Sequence, residues 1–131
     1  MREPSVTQNK PIAGATFPRS ARILRAAEFR ATYDQGFRIA GPLFAAFCRA
    51  RQGPEAEHHP GPRLGLTAPR AIGGSVVRNR IKRRLRAAFR LHRAEIGPQW
   101  DIVVNPRRAA LAASFAEIEK AFSKVIEKCR P

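Results

Sequence analysis

The stretch from Ser75 to Glu95 can satisfy its own side chains in only one backbone conformation. Val77, Ile81, Leu85, Ala88, Phe89, His92 and Ile96 fall within an arc of about 120° at the ~100° per residue of an α-helix. A strand would scatter the same residues to both faces and carry cations into any core. On the helix, Arg80, Lys82, Arg83, Arg84, Arg86, Arg90 and Arg93 take the remaining circumference. Arg78 is the exception, because an ideal wheel projects it into the apolar arc. That puts it at or before the first turn, with Asn79 near the helix N-terminus, where unpaired N–H groups attract anions.

The charge of this region is focused. From Arg63 to Ala94 there are ten basic residues and no acidic one: Arg63, Arg70, Arg78, Arg80, Lys82, Arg83, Arg84, Arg86, Arg90 and Arg93. They supply ten of the +15 formal charges of the whole chain. A solvated helix face usually mixes signs, since opposite charges four residues apart stabilise it. Here like charges repeat at 82/86/90 and 80/84, each costing a few tenths of a kcal/mol. An external polyanion would supply the missing compensation, and nucleic acid is the reading this favours over a merely solvated face. Of the 25 basic residues 20 are Arg. That suits RNA, although genomic base composition is the better explanation of the bias.

The flanking elements place this helix in an α+β domain. Residues 1–20 carry three prolines and no periodicity and read as a flexible basic extension, leaving 21–131 as one domain. Arg22 to Gly36 reads as a short helix with Ala26, Phe29 and Tyr33 on one face. Residues 37–50 read as two short strands split at Gly41-Pro42. The second has apolar residues on both faces, so it should be covered on both sides. Residues 51–62 are a loop by composition. RLGLTA (63–68) and DIVVNP (101–106) read as strands, and with the helix between them they form a βαβ unit with parallel pairing. SFAEIEKAFSKVIEKC ends the chain as an amphipathic helix, with the spacing of a capping box at Ser114 and Glu117. The order is α-β-β-β-α-β-α around a small mixed sheet.

Several functions are disfavoured. No run approaches the ~18 apolar residues of a membrane helix, and MREPSVTQNK has no apolar signal core. Cytoplasmic residence is expected, with Cys48 and Cys129 reduced, although a single disulfide between them stays open. His58-His59 has no third ligand nearby for a metal. The ten acidic residues are scattered and do not suggest the carboxylate cluster of a metal nuclease. No catalytic residue and no metal ligand is assigned to the chain.

Val77-Arg78-Asn79-Arg80-Ile81-Lys82-Arg83-Arg84-Leu85-Arg86 closely resembles the RNR signature of the bacterial ribonuclease P protein component. RILRAAEFRATYDQG resembles that family's first helix, PLFAAFCRA its following strand, and RLGLTAPRAIGGSVVRNRIKR its strand, glycine turn and signature helix. The sequence departs from the family's usual pattern at Pro69-Arg70-Ala71, where relatives usually have Ser-Lys-Lys, at Arg84, where many are apolar, and at Ala87, where an acid is common.

The resemblance implies a fold shared with domains of ribosomal proteins, with an unusual left-handed βαβ crossover. It implies a protein subunit of a ribozyme that removes the 5′ leader of precursor tRNA. Arg70, Arg78, Asn79, Arg80, Lys82, Arg83, Arg86 and Arg90 would then meet the catalytic RNA. Phe29, Tyr33 and Phe47 would line a cleft for the single-stranded leader, as an aromatic platform that stacks bases without reading them. Mg2+ would be bound mainly by the RNA. The competing reading of those aromatics is core packing. The competing functions are a ribosomal or general RNA-binding protein and a DNA-compacting protein.

Overall fold

The computed structural model describes residues 19–58 and 61–131. The extension read for residues 1–20 therefore lies, up to residue 18, outside the described residues. The sheet comprises β1 (Phe37–Ala40), β2 (Phe44–Ala50), β3 (Arg63–Leu66) and β4 (Trp100–Pro106). Their order is β1-β2-β4-β3, with β2 antiparallel to both neighbours and β3 parallel to β4. The parallel pair is the βαβ unit expected from the sequence, crossed by helix α3 (Ser75–His92).

Each face of the sheet has its own cover. The alternation of β2 sends Phe44, Ala46 and Cys48 to one face, beside Ile102 and Val104 of β4 and Leu64 of β3. Against them pack Ile81, Leu85, Ala88 and Phe89 of α3 and Ile118, Phe122, Val125 and Ile126 of α5 (Phe115–Lys128). The Phe44 and Phe122 rings lie 4.9 Å apart. The opposite face carries Phe47, Val103 and Gly65 in one row and is covered by α1 (Ala26–Gln35). A β-carbon on Gly65 would lie 2.8 Å from the Phe29 ring, so this glycine lets α1 sit close to β3.

Capping fixes the last helix. The Ser114 hydroxyl accepts from the Glu117 N–H at 3.1 Å and the Glu117 carboxylate accepts from the Ser114 N–H at 2.8 Å. That is the reciprocal arrangement its spacing predicts.

Three stretches differ from the sequence reading. Residues 22–24 do not join the first helix. The Ile23 N–H donates to the Leu64 carbonyl at 3.0 Å, so this segment runs along the open edge of β3 and buries Ile23 there. Within the loop 51–62 a short helix, α2 (Pro54–His58), brings Glu55 onto Arg49. A further turn, α4 (Ala109–Ala112), follows β4; four residues are too few to show a period.

The two cysteines are free thiols, both buried. Cys48 is pushed well above the ordinary thiol value by its hydrogen bond with Cys129 and by burial. Both side chains therefore belong to the packing of β2 against the end of α5.

Candidate nucleic-acid interface

Of the ten cations between Arg63 and Ala94, three serve the fold. Arg63 is buried on the α1 face, where its Nε and Nη2 each donate to Asp101 at 2.8 Å and its Nη1 to Glu28 at 3.1 Å. Arg84 crosses to α4 and donates to the carbonyls of Ala110, Leu111 and Ala113, the groups a helix C-terminus leaves unpaired. The helix wheel puts it among the outward cations, but its guanidinium is engaged inside the domain. The Arg93 guanidinium lies against Gly61.

The other seven are Arg70, Arg78, Arg80, Lys82, Arg83, Arg86 and Arg90. None of them pairs with a carboxylate among the described residues. Arg70, Arg80 and Arg83 are exposed, as is Asn79; Arg78, Lys82, Arg86 and Arg90 are half-buried. Helix α3 begins at Ser75, so Arg78 does sit in its first turn, and its Nε reaches back to the Gly73 carbonyl at 3.2 Å. Asn79 lies one turn in.

The start of α3 is built to be open. Gly74 caps it with no side chain, which leaves the first-turn N–H groups without a side-chain acceptor. Gly73 has φ 156°, a conformation that disfavours side chains, and Val77 packs where its β-carbon would be. Arg108 donates to the Ile72 carbonyl at 2.5 Å, pinning this turn to the end of β4. The charge of the turn is therefore held in a fixed backbone frame, which the sequence did not reveal.

Phe29 and Tyr33 lie one turn apart on α1, and Tyr33 meets Phe47 edge-on at 4.9 Å. All three are half-buried. A shallow groove runs along α1 between Ala26, Phe29, Arg30, Tyr33, Asp34 and Thr67. The Tyr33 hydroxyl donates to Asn105 Oδ1 at 2.8 Å, which also accepts from Thr67 Oγ1 at 2.6 Å. Asn105 and Thr67 thus set the tilt of the Tyr33 ring. Arg38, exposed and paired across the strands with Phe47, places a cation beside the same surface. Sequence reasoning missed Arg38, Thr67 and Asn105, because only strand register brings them together.

His92, placed in the apolar arc by the wheel, sits at its margin. Its ring nitrogens contact Glu95 at 2.7 Å and Glu119 of α5 at 2.8 Å. These two hydrogen bonds, Glu95 first, raise its pKa above the ordinary imidazole value against a smaller effect of burial. A raised folded pKa gives stability that is complete below the unfolded value of about 6.5 and is lost as pH rises through the folded one. The melting temperature of the protein should therefore exceed that of His92→Gln by more at pH 6 than at pH 8.5. A difference independent of pH would assign the contacts to neutral hydrogen bonding.

The family model for Ribonuclease P matches residues 17–130. The ribonuclease P protein component of Acidothermus cellulolyticus is 37% identical over 83% of this chain and 88% of its own length. That of Desulfovibrio desulfuricans is 40% identical over 75% and 72%. Among solved structures, the Staphylococcus aureus RNase P protein superposes with a TM-score of 0.68 at 27% identity, covering 82% of this chain and 94% of that one. The Thermotoga maritima protein shares the fold at 23% identity, with a TM-score of 0.68 over 82% and 97%. The match runs through the sheet, the cationic helix and the aromatic groove alike, and the chain belongs to the bacterial ribonuclease P protein family.

Proposed function

We propose that this subunit of RNase P, a tRNA-processing ribonucleoprotein endoribonuclease, grips the catalytic RNA with α3. The α1 groove then holds the 5′ leader of precursor tRNA. The observation that carries this reading is the set of seven cations on and before α3 that no carboxylate among the described residues neutralises. Arg70, Arg78, Arg80, Lys82, Arg83, Arg86 and Arg90, with Asn79, take phosphates and riboses of the ribozyme. Phe29, Tyr33 and Phe47 offer the leader aromatic edges and faces, with Arg38 and Arg30 beside them for its phosphates.

Six of the chain's ten acids are engaged in the fold. Asp101, Glu28 and Glu55 answer buried arginines, Glu117 caps α5, and Glu95 and Glu119 hold His92. In this reading phosphodiester cleavage falls to the RNA and to Mg2+ held mainly by RNA phosphates. The protein contributes by screening RNA–RNA repulsion and by fixing the leader. No helix among the described residues is long and apolar enough to cross a membrane, and the reading places the chain in the cytoplasm with the precursor transcripts.

Reconstitution tests it. At low magnesium the purified protein should rescue precursor-tRNA cleavage by a bacterial RNase P RNA, and the protein alone should cleave nothing. Failure to rescue would leave a general RNA-binding protein; cleavage by the protein alone would overturn the division of labour.

The double substitution Arg78→Ala, Arg80→Ala should weaken assembly with the catalytic RNA. It should also flatten the plot of log affinity against log salt by about 1.4–1.8, or ~0.7–0.9 per lost phosphate contact. An unchanged slope would remove both residues from the interface.

A further inference from the structure

The sheet order β1-β2-β4-β3 makes β1 and β3 the outer strands. The Ile23 N–H closes onto the Leu64 carbonyl of β3, whereas no strand lies outside β1 among the described residues. The Gly41 N–H donates to the Phe44 carbonyl at 3.0 Å. Counted back from that pair, the antiparallel alternation turns the N–H and C=O groups of Arg38 and Ala40 away from β2. Beside this edge a cleft of about 390 Å3 opens between the β1–β2 hairpin and α5. Ile39, Leu43, Phe44 and Ala121 form its apolar wall, and Lys120 and Lys124 stand at its rim. We infer that the β1 edge and this cleft bind an extended protein segment carrying apolar and acidic side chains, which adds to the sheet as a further strand.

Three observations choose this occupant. First, an open edge presents main-chain donors and acceptors in alternation, which another peptide backbone matches and an RNA strand does not. The chain already covers its other edge in this way, with residues 22–24 along β3. Second, the cleft is apolar beside that edge. Ile39 and Phe37 point to the same face of β1, and Phe37 is 41% exposed, so side chains of an added strand would extend an apolar row and leave water there. Third, Lys120 and Lys124 are exposed and pair with no carboxylate among the described residues. Glu117, the acid in the cleft lining, turns its carboxylate to the Ser114 N–H at 2.8 Å. The lysine stems can lie along the apolar wall while their heads reach an acidic residue. A second copy, with its formal charge of +15, would bring its own cations against these two.

The cleft is remote from both proposed RNA surfaces. It lies at the β1 edge, whereas α3 packs toward β3 at the opposite edge. Ile39 faces α5, and the α1 groove is on the other face of the sheet. Only the main chain of Arg38 is common to the two surfaces, because its side chain points with Phe47 to the α1 side. A protein segment can therefore dock here while the chain holds RNA, and neither surface depends on the other.

Fluorescence anisotropy on the full chain tests this with a labelled peptide repeating Val-Val-Glu-Glu, a pattern that puts both residue types on each face of a strand. The peptide should bind, and a Val-Val-Lys-Lys repeat should not. Lys120→Glu combined with Lys124→Glu should weaken the first peptide about tenfold, since two exposed ion pairs become repulsions. On binding, amide hydrogen exchange should slow at Arg38 and Ala40. Ala40→Pro removes an edge-facing N–H without breaking a bond to β2, and should abolish binding. No binding of the Val-Val-Glu-Glu peptide overturns the inference. So does binding that leaves exchange at Arg38 and Ala40 unchanged, because no strand has then been added. Should Ala40→Pro melt well below the parent, the exchange measurement and the lysine variant decide the matter without it.

Two other occupants give distinct results. If the parent dimerises as its concentration rises and Ala40→Pro does not, the edge belongs to a second copy, which overturns the inference. The lysine variant should assemble with a bacterial RNase P RNA at the parental slope of log affinity against log salt. A slope lower by ~0.7 or more would give the two lysines to the RNA instead, since that is the value for one phosphate contact, and would equally overturn it. The Arg78→Ala, Arg80→Ala variant keeps the two readings apart. It should bind the Val-Val-Glu-Glu peptide as the parent does; if it also keeps the parental slope, the reading of α3 fails while the strand site stands.

Discussion

Replacing Asp101 by Ala should destabilise the free protein by about 3–5 kcal/mol, the cost of leaving buried cations without their counter-charge. The Asp101 carboxylate is fully buried and is shared among three arginines. Arg51 Nη1 donates to its Oδ1 at 2.5 Å, Arg63 holds both oxygens, and Arg49 approaches Oδ2 at 3.6 Å. Strand register creates the cluster, since Arg49, Asp101 and Arg63 are direct partners across β2, β4 and β3.

Without Asp101, Arg51 keeps the carbonyls of Gly61, Pro98 and Trp100, Arg49 keeps Glu55, and Arg63 keeps Glu28. Those acceptors satisfy hydrogen bonds, but Glu28 and Glu55 lie at the margins and cannot replace a central carboxylate. Against the 5–15 kcal/mol that holds a typical domain together, the loss is a large fraction. It should appear as a lower urea midpoint with an unchanged denaturant slope. Arg83→Ala, at an exposed position, should change the stability by less than about 0.5 kcal/mol. Equal effects at the two positions would show that water reaches the cluster and that its burial contributes little.

This cluster marks the limit of what could be read from the sequence. The apolar stripe of α3 was legible because a helix keeps a fixed local period, and Ile81, Leu85, Ala88 and Phe89 are all buried as that period requires. The strands, the parallel βαβ pair and the Ser114–Glu117 cap were legible for the same reason: each depends on residues near in sequence. The fate of an individual arginine was not. Arg63, Arg84 and Arg93 look like Arg80 and Arg83 in a charge count, yet their guanidinium groups lie against Asp101, the carbonyls after β4 and Gly61 within the domain.

The same holds for the groove. Phe29 and Tyr33 announce a shared helix face, but Asn105 and Thr67 are matched to Tyr33 only once β3 and β4 are side by side. Local periodicity therefore indicated where the cationic helix lies; sheet register decided which charges it keeps for a partner.

The α1 groove offers the sharpest discrimination between a packed face and a binding one. Tyr33→Ala combined with Phe47→Ala should weaken binding of leader-bearing precursor tRNA to the reconstituted complex by ~1–3 kcal/mol for each base stacked there. Mature tRNA, which has no leader, should be nearly unaffected. Both rings are half-buried and touch each other, so truncation also removes packing between α1 and β2. A general loosening of the domain would lower affinity for both RNAs together, and equal losses would therefore return the aromatics to the core. Tyr33→Phe refines the argument. It keeps the ring against Phe47 and removes only the hydroxyl's contacts with Asn105 at 2.8 Å and Thr67 at 3.4 Å. If the hydroxyl serves to orient the ring, this variant should lose part of the leader preference while melting close to the parent. If stacking area alone matters, it should bind the leader as the parent does, and Asn105 would then be a partner of Thr67 with no part in recognition.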